Sequence, residues 1–203
     1  MVALPFLRRE PPALRGSRVA LRAPLSSDYR EWAALRHESR AFLEPWEPRW
    51  ARDELERSGW KRRMRRYRED FAAGSAIPYL VFDSAGGHLV GGITIGNIRH
   101  GVSQSAQIGY WTGERHAGRG YMQDAVAAVL AHAFGAMRLH RVEAACIPDN
   151  VRSIRVLEKT GFEREGLLRS YLRINGVWQD HYIYARIADD ARQGASETRG
   201  PGV

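Results

Sequence analysis

The chain has 203 residues, 44% of them hydrophobic, which is enough apolar side chain for one ordinary domain with a real core. Its single cysteine, Cys146, excludes an intrachain disulfide and a secreted, cross-linked scaffold, so a reducing cytoplasm is the expected compartment. A net charge of +8 favours polyanionic partners, whether nucleic acid, the ribosome or a phosphate-rich small molecule, without choosing among them.

The apolar residues among Met1 to Arg9 are interrupted by Pro5 and closed by Arg8 and Arg9, too short a run for a signal-peptide core, and no stretch approaches the length of a membrane span. Residues 1–16 read as an extension, 17–188 as the domain and 189–203 as a polar, disordered tail. Val19, Leu21 and Ala23 alternate with arginines in a first strand, and Ser26, Ser27 and Asp28 offer caps for a helix to about Ser39. Phe42 to Trp50, FLEPWEPRW, carries two prolines and two tryptophans and reads as a loop. From Arg57 to about Ala73, Trp60, Met64, Tyr67 and Phe71 recur at helical spacing among Arg57, Lys61, Arg62, Arg63, Arg65, Arg66 and Arg68. That pattern predicts an amphipathic helix with a solvated basic face, favoured over an RNA-binding helix.

Tyr79 to Phe82 and Leu89 to Ile95 read as strands joined across Gly86-Gly87, and Ser105 to Trp111 as another. A glycine-bearing loop then feeds a helix whose apolar stripe is Met122, Val126, Val129, Leu130 and Phe134. A strand from Arg141 to Ile147, a helix from Asn150 to Thr160 and a hairpin turning at Asn175-Gly176 complete the domain. The expected fold is α/β: a mixed, mostly antiparallel seven-stranded sheet with helices on both faces, in the order β-α-α-β-β-β-α-β-α-β-β.

The loop Arg115-His116-Ala117-Gly118-Arg119-Gly120 lies between a strand and a helix, so its amides and the helix N-terminus can converge on one anion. Gly118 and Gly120 offer no side chain to block phosphate oxygens or forbid positive φ. No G-K-[ST] follows as in a P-loop, and Gln123 stands where a dinucleotide fingerprint needs its third glycine. The seven histidines are scattered without an H-E-x-x-H, and no metal site is expected.

Preceded by AQIGYW (Ala106 to Trp111) and followed by DNVRSIRVLEKTGF (Asp149 to Phe162), this R-x-x-G-x-G loop resembles the GNAT acetyltransferase superfamily. FLEPWEP (Phe42 to Pro48), Asn150 with Ser153, and YLRINGVWQDHYIYA (Tyr171 to Ala185) are similar to its ribosomal-protein-alanine N-acetyltransferase branch. The resemblance implies direct transfer from acetyl-coenzyme A to the N-terminal α-amine of a protein, possibly of the ribosome, with no metal and no membrane partner. It places coenzyme A on Trp111, Arg115, His116, Ala117, Gly118, Arg119, Gly120 and Tyr121, with Asn150 holding the pantetheine arm from the other side and Ser153 donating to the leaving thiolate. Trp46, Glu47, Trp50 and Tyr171, joined by Trp178, are the residues expected to receive the acceptor. Direct nucleic-acid binding, if any, would use Arg57 to Arg68.

Attack on a thioester needs a neutral amine, oxyanion donors and help for the thiolate. At pH near 7.4, deprotonating an α-amine costs only about 0.5 kcal/mol, against roughly 4 kcal/mol for a lysine, so an enzyme without an evident strong base suits N-termini. Two positions where relatives carry glutamate are Ala145 and Leu172 here, leaving Glu47, Glu143, Asp180 and His181 as candidate bases. Glu44 and Glu47 could instead hold a cationic N-terminus. Cys146 reads as a small buried strand residue. A small-amine GNAT enzyme and a basic ribosome- or RNA-binding protein that merely keeps the fold are the alternatives.

Overall fold

The computed structural model describes residues 10–188, so the expected disordered tail lies outside the described residues. The strands are β1 (Leu14–Arg15), β2 (Val19–Arg22), β3 (Ile77–Asp83), β4 (Leu89–Arg99), β5 (Ser105–Thr112), β6 (Arg141–Cys146), β7 (Glu163–Ile174) and β8 (Val177–Ile187). The helices are α1 (Tyr29–Glu38), α2 (Arg40–Leu43), α3 (Arg57–Ala72), α4 (Tyr121–Phe134) and α5 (Val151–Lys159). They flank one eight-stranded sheet in the order β1-β2-β3-β4-β5-β6-β8-β7, antiparallel except where β5 meets β6.

The eighth strand is the two-residue β1, which folds back on β2 by pairing Leu14 with Leu21 and Arg15 with Ala20. Two residues are too few to show alternation, which is why the pattern predicts seven. A second difference lies in Phe42 to Trp50, where α2 and a 3-10 turn (Glu44–Trp46) replace a plain loop. Pro45 sits at the start of that turn, where its missing N–H breaks no hydrogen bond. The 3-10 turn Ser26–Asp28 precedes α1, and Asp28 rather than a serine closes it, accepting from Leu25 N (2.7 Å) and both Arg22 Nη atoms (2.8 and 2.6 Å).

β3 is buried along its whole length because each face meets a different cluster. Ile77, Tyr79 and Val81 join the α4-side core with Ile93, Val126 and Val129; Leu80 and Phe82 join Trp32, Leu35, Trp60 and Met64 of α1 and α3. A strand covered on both faces loses its polar alternation and reads as a continuous apolar run. In α3, Trp60 and Met64 are buried and Tyr67 and Phe71 half-buried, on the predicted stripe. Much of its basic face is paired: Arg62 with Asp53 (2.6 Å), Arg63 with Glu54, and Arg65 and Arg66 with Glu69 and Asp70 (3.9 Å each). Arg62 holds the half-buried Asp53 carboxyl down to about 2.

Candidate active site

β5 and β6 are paired only at their beginnings, through Ser105 with Arg141, Ala106 with Val142 and Gln107 with Glu143. Beyond that, Ile108 to Thr112 stay with β4 while Ala144 to Cys146 stay with β8, so the two parallel strands part. Each has a backbone edge without a sheet partner, and a cleft of about 450 Å³ opens between them. Tyr110 and Trp111 of β5, Ala144 to Cys146 of β6, and Asn150, Ser153 and Val156 of α5 wall it.

At one end lies the glycine-bearing loop. Gly118 (φ 74°) and Gly120 (φ 81°) adopt left-handed conformations that L side chains rarely take, and Gly120 is the N-cap of α4, with no side-chain cap on the helix amides. An uncapped helix start is a ready anion site. His116, Ala117, Gly118, Gly120 and Tyr121 line the cleft here; Arg115 and Arg119 do not. Arg115 turns to Glu38 (3.0 Å) and donates from Nε to His116 Nε2 (3.1 Å). Burial, with Arg115 and Arg119 nearby, holds His116 below the ordinary imidazole value, so it is neutral at pH 7.

The cations that do face the cleft were missed by the sequence reading. Arg152, Arg155 and Lys159 of α5 line it, and their helical spacing, on one side with Val156, was the available signal. Arg18, just before β2 and outside the cleft lining, approaches the loop: its Nη1 donates to Arg119 O (2.7 Å) and its guanidinium lies 5.2 Å from the Tyr121 ring centroid. The turn before it is stapled to α4 by Asp124, which accepts from Ser17 N (3.1 Å), Ser17 Oγ (3.0 Å), Arg18 N (2.7 Å) and Val19 N (3.1 Å). Gly16 is required there, since a Cβ would fall 2.2 Å from Asp124 Oδ2. Burial raises the Asp124 carboxyl, but these donors outweigh it and leave it below its ordinary value.

Midway along, Asn150 caps α5 by accepting from Ser153 N (3.1 Å). Ser153 Oγ lies 3.0 Å from Tyr110 OH, so a hydroxyl pair bridges the two walls. Burial pushes the neighbouring Cys146 thiol up to about 11, keeping it a thiol at neutral pH, and raises the Tyr110 phenol far above its ordinary value.

At the other end, Phe42, Leu43, Trp46 and Glu47 line the cleft. Glu47 is held on both oxygens by Arg36 (Nη1 3.1 Å, Nη2 2.5 Å), and Trp50 Nε1 donates to the second at 2.7 Å. Arg36 is itself buried among Trp32, Trp50 and Trp111, at 5.6, 4.4 and 5.0 Å from their ring centroids. Trp50 therefore stands behind the cleft wall and braces Glu47. The β7–β8 turn, with positive φ at Asn175 and Gly176, docks on this loop through Asn175 N to Glu47 O (2.9 Å). Tyr171 stands just outside the lining, edge-on to His181 at 5.7 Å, and it is His181 that lines the cleft. Trp178 is exposed on the same hairpin. Glu143 is tied to Arg141 (2.7 Å), Asp180 accepts from Ser170 N (2.8 Å) and Glu44 pairs with Arg40 (2.7 Å); none of the three lines the cleft. Among the described residues no group of three or more His, Cys, Asp and Glu side chains could hold a metal ion.

A strand-to-helix anion loop, a splayed parallel pair and a hydroxyl at the junction are what a nucleotide-bearing thioester would need. Residues 18–163 match the family model described as an acetyltransferase (GNAT) domain. The chain is 35% identical over 180 residues to a probable N-acetyltransferase of Bacillus subtilis, YjcK, spanning 89% of this chain and 99% of that protein. It is 35% identical over 155 residues to the [ribosomal protein uS5]-alanine N-acetyltransferase of Escherichia coli, spanning 75% of this chain and 79% of that one. The solved structure of Mycobacterium smegmatis RimJ in complex with CoA-disulfide superimposes with a TM-score of 0.81 at 34% identity, covering 92% of this chain and 93% of that one. The chain thus belongs to the GNAT superfamily of acetyl-coenzyme A-dependent acetyltransferases and is closely related to its ribosomal-protein-alanine N-acetyltransferase branch.

Proposed function

We propose that this enzyme acetylates the N-terminal α-amine of a protein, a ribosomal protein by its relatives, in the cytosol. The observation that carries the reading is the charge of the cleft. Among the described residues its lining holds one carboxylate, Glu47, already neutralised by Arg36, and the cations Arg152, Arg155 and Lys159. A polyamine, which carries several ammonium groups, finds no free carboxylate there to pair with. An α-amine, partly neutral at pH near 7.4, enters more readily than a lysine ammonium, which costs roughly 4 kcal/mol to deprotonate.

Coenzyme A fits the remaining features. The uncapped α4 amides, Gly118 and Gly120 suit the pyrophosphate, with Arg18 and the α5 cations supplying charge, and the open edge of β5 can pair with amides of the pantetheine arm. The cosubstrate supplies an activated acetyl thioester. Ser153, its N–H tied to Asn150 and its hydroxyl set against Tyr110 on the cleft wall, would donate to the thiolate as it leaves. The loop and the hairpin meet through Glu47 and Asn175, so a short peptide beside Trp46 would also run past the hairpin that carries Tyr171 and Trp178.

The test is turnover of acetyl-coenzyme A with α-amine peptides, the same peptides blocked at the N-terminus but bearing lysine, and free polyamines. Peptides beginning with alanine are expected to be acetylated and blocked ones not. Trp46→Ala is expected to raise peptide KM about tenfold while leaving acetyl-coenzyme A KM within about twofold. Preference for polyamines, or equal use of blocked peptides, overturns the assignment.

A further inference from the structure

We infer that His181 is the general base of the transfer, accepting the proton of the attacking amine at Nε2. The inference rests on amine acetylation and holds whichever amine is the acceptor. Of the four side chains that could serve, Glu143 is engaged by Arg141 below the point where β5 and β6 part, Asp180 is spent on the Ser170 amide outside the cleft, and Glu47 has both oxygens occupied. His181 alone of the four combines a place on the cleft wall with an uncommitted atom.

The placement follows from the register. Tyr182 pairs with Cys146, the last residue of β6, so His181, paired with Leu168 of β7 on its other edge, falls one residue beyond β6, and its side chain lines the cleft. It is 3% exposed. Its Nδ1 lies 2.9 Å from Gln179 O. A carbonyl oxygen only accepts, so Nδ1 carries the proton and, in the neutral ring, Nε2 carries the lone pair. Nε2 meets no protein partner among the described residues. The Tyr171 ring packs edge-on at 72°, and the backbone irregularity between Leu168 and Leu172, where Ser170 takes φ 47°, turns Tyr171 onto the imidazole. Orientation and tautomer are therefore both set before an amine arrives.

As the amine lone pair forms the C–N bond to the thioester carbonyl, its N–H proton passes to Nε2, directly or through one water. The electron pair of the breaking C–S bond leaves on sulfur, beside Ser153. The imidazolium proton then passes through water to the thiolate, so the products are amide and free thiol and the ring ends neutral.

His181→Asn separates this role from a structural one, because the asparagine amide can keep the bond to Gln179 O but has nothing at the Nε2 position. With the amine that the wild-type enzyme acetylates, kcat is expected to fall about 100-fold, while calorimetric affinity for coenzyme A and the amine KM stay within about twofold. Added imidazole should restore part of the activity of His181→Ala, and nitrogen NMR of the wild type should show the Nδ1-protonated tautomer. A kcat of His181→Asn within about threefold of wild type, or an Nε2-protonated ring, overturns the inference. The NMR measurement decides even if both variants fail to fold. Wild-type activity confined to small amines would sink the peptide assignment while the His181 comparison, run on that amine, still gives its own answer.

Discussion

At the loop end of the cleft the working parts are backbone: helix amides, two left-handed glycines and a turn held to α4 by Asp124. At the tryptophan end they are side chains, a carboxylate clamped by a buried arginine that is packed among three indoles. In the proposed assignment main-chain groups take what never changes, the phosphates of one cosubstrate, and tolerate almost no substitution at the glycines. A side-chain wall can be retuned for different acceptors by changing single residues. On that proposal one fold keeps a fixed donor site beside an adjustable acceptor site.

The contrast can be broken most severely at Gly120. A valine there must adopt φ 81° and places its Cβ 3.2 Å from Arg18 Nη1, so calorimetry is expected to find no measurable coenzyme A binding in a folded protein. Retained affinity would mean the loop is not the anion site. Glu47→Gln sharpens the other side. It leaves the Arg36 guanidinium buried without its counter-charge, and urea unfolding should show a loss of about 3 kcal/mol. Peptide KM should rise with it while coenzyme A affinity stays near wild type, and an equal loss of both would join the ends that the comparison separates. The smallest effect is acid sensitivity of the Asp124 staple. Its native carboxyl titrates below the unfolded value, so the stability it contributes is present above the unfolded pKa and is lost as pH falls through the lower, native one. Asp124→Asn should flatten stability against pH in that window, below about pH 4, and coenzyme A affinity should weaken slightly as Arg18 loosens.

The loop end was the more legible in sequence because its parts are contiguous. Arg115 to Gly120 and the α4 stripe sit within one strand-to-helix passage, and glycine chemistry there has few other readings. Even so, the two loop arginines were natural choices for charge and neither lines the cleft, since Glu38, 77 residues away, draws off Arg115. Arg18, over 100 residues from the loop in sequence, could not be linked to it by spacing. The tryptophan end was legible as composition only. FLEPWEPRW announces an aromatic feature, but that Trp46 faces the cleft, Trp50 braces Glu47, and Arg36 lies buried behind them depends on α1 packing beside β5. The orientation of His181 follows from the β6–β8 register and the irregularity at Ser170, neither of which a linear pattern of apolar residues encodes.

The alternation of β3 has a consequence for how the protein comes apart. Ile77, Tyr79 and Val81 belong to the cluster under α4 and Leu80 and Phe82 to the cluster under α1 and α3, so neither helical layer can melt while β3 keeps its conformation for the other. The two layers form one cooperative unit. Indole fluorescence, to which the buried Trp32 and Trp60 on the α1 and α3 side contribute, should lose its native signal at the same denaturant concentration as the helical signal to which α4 contributes. A tryptophan-end wall retuned at the expense of stability therefore draws on the same reserve that keeps the glycine-bearing loop folded.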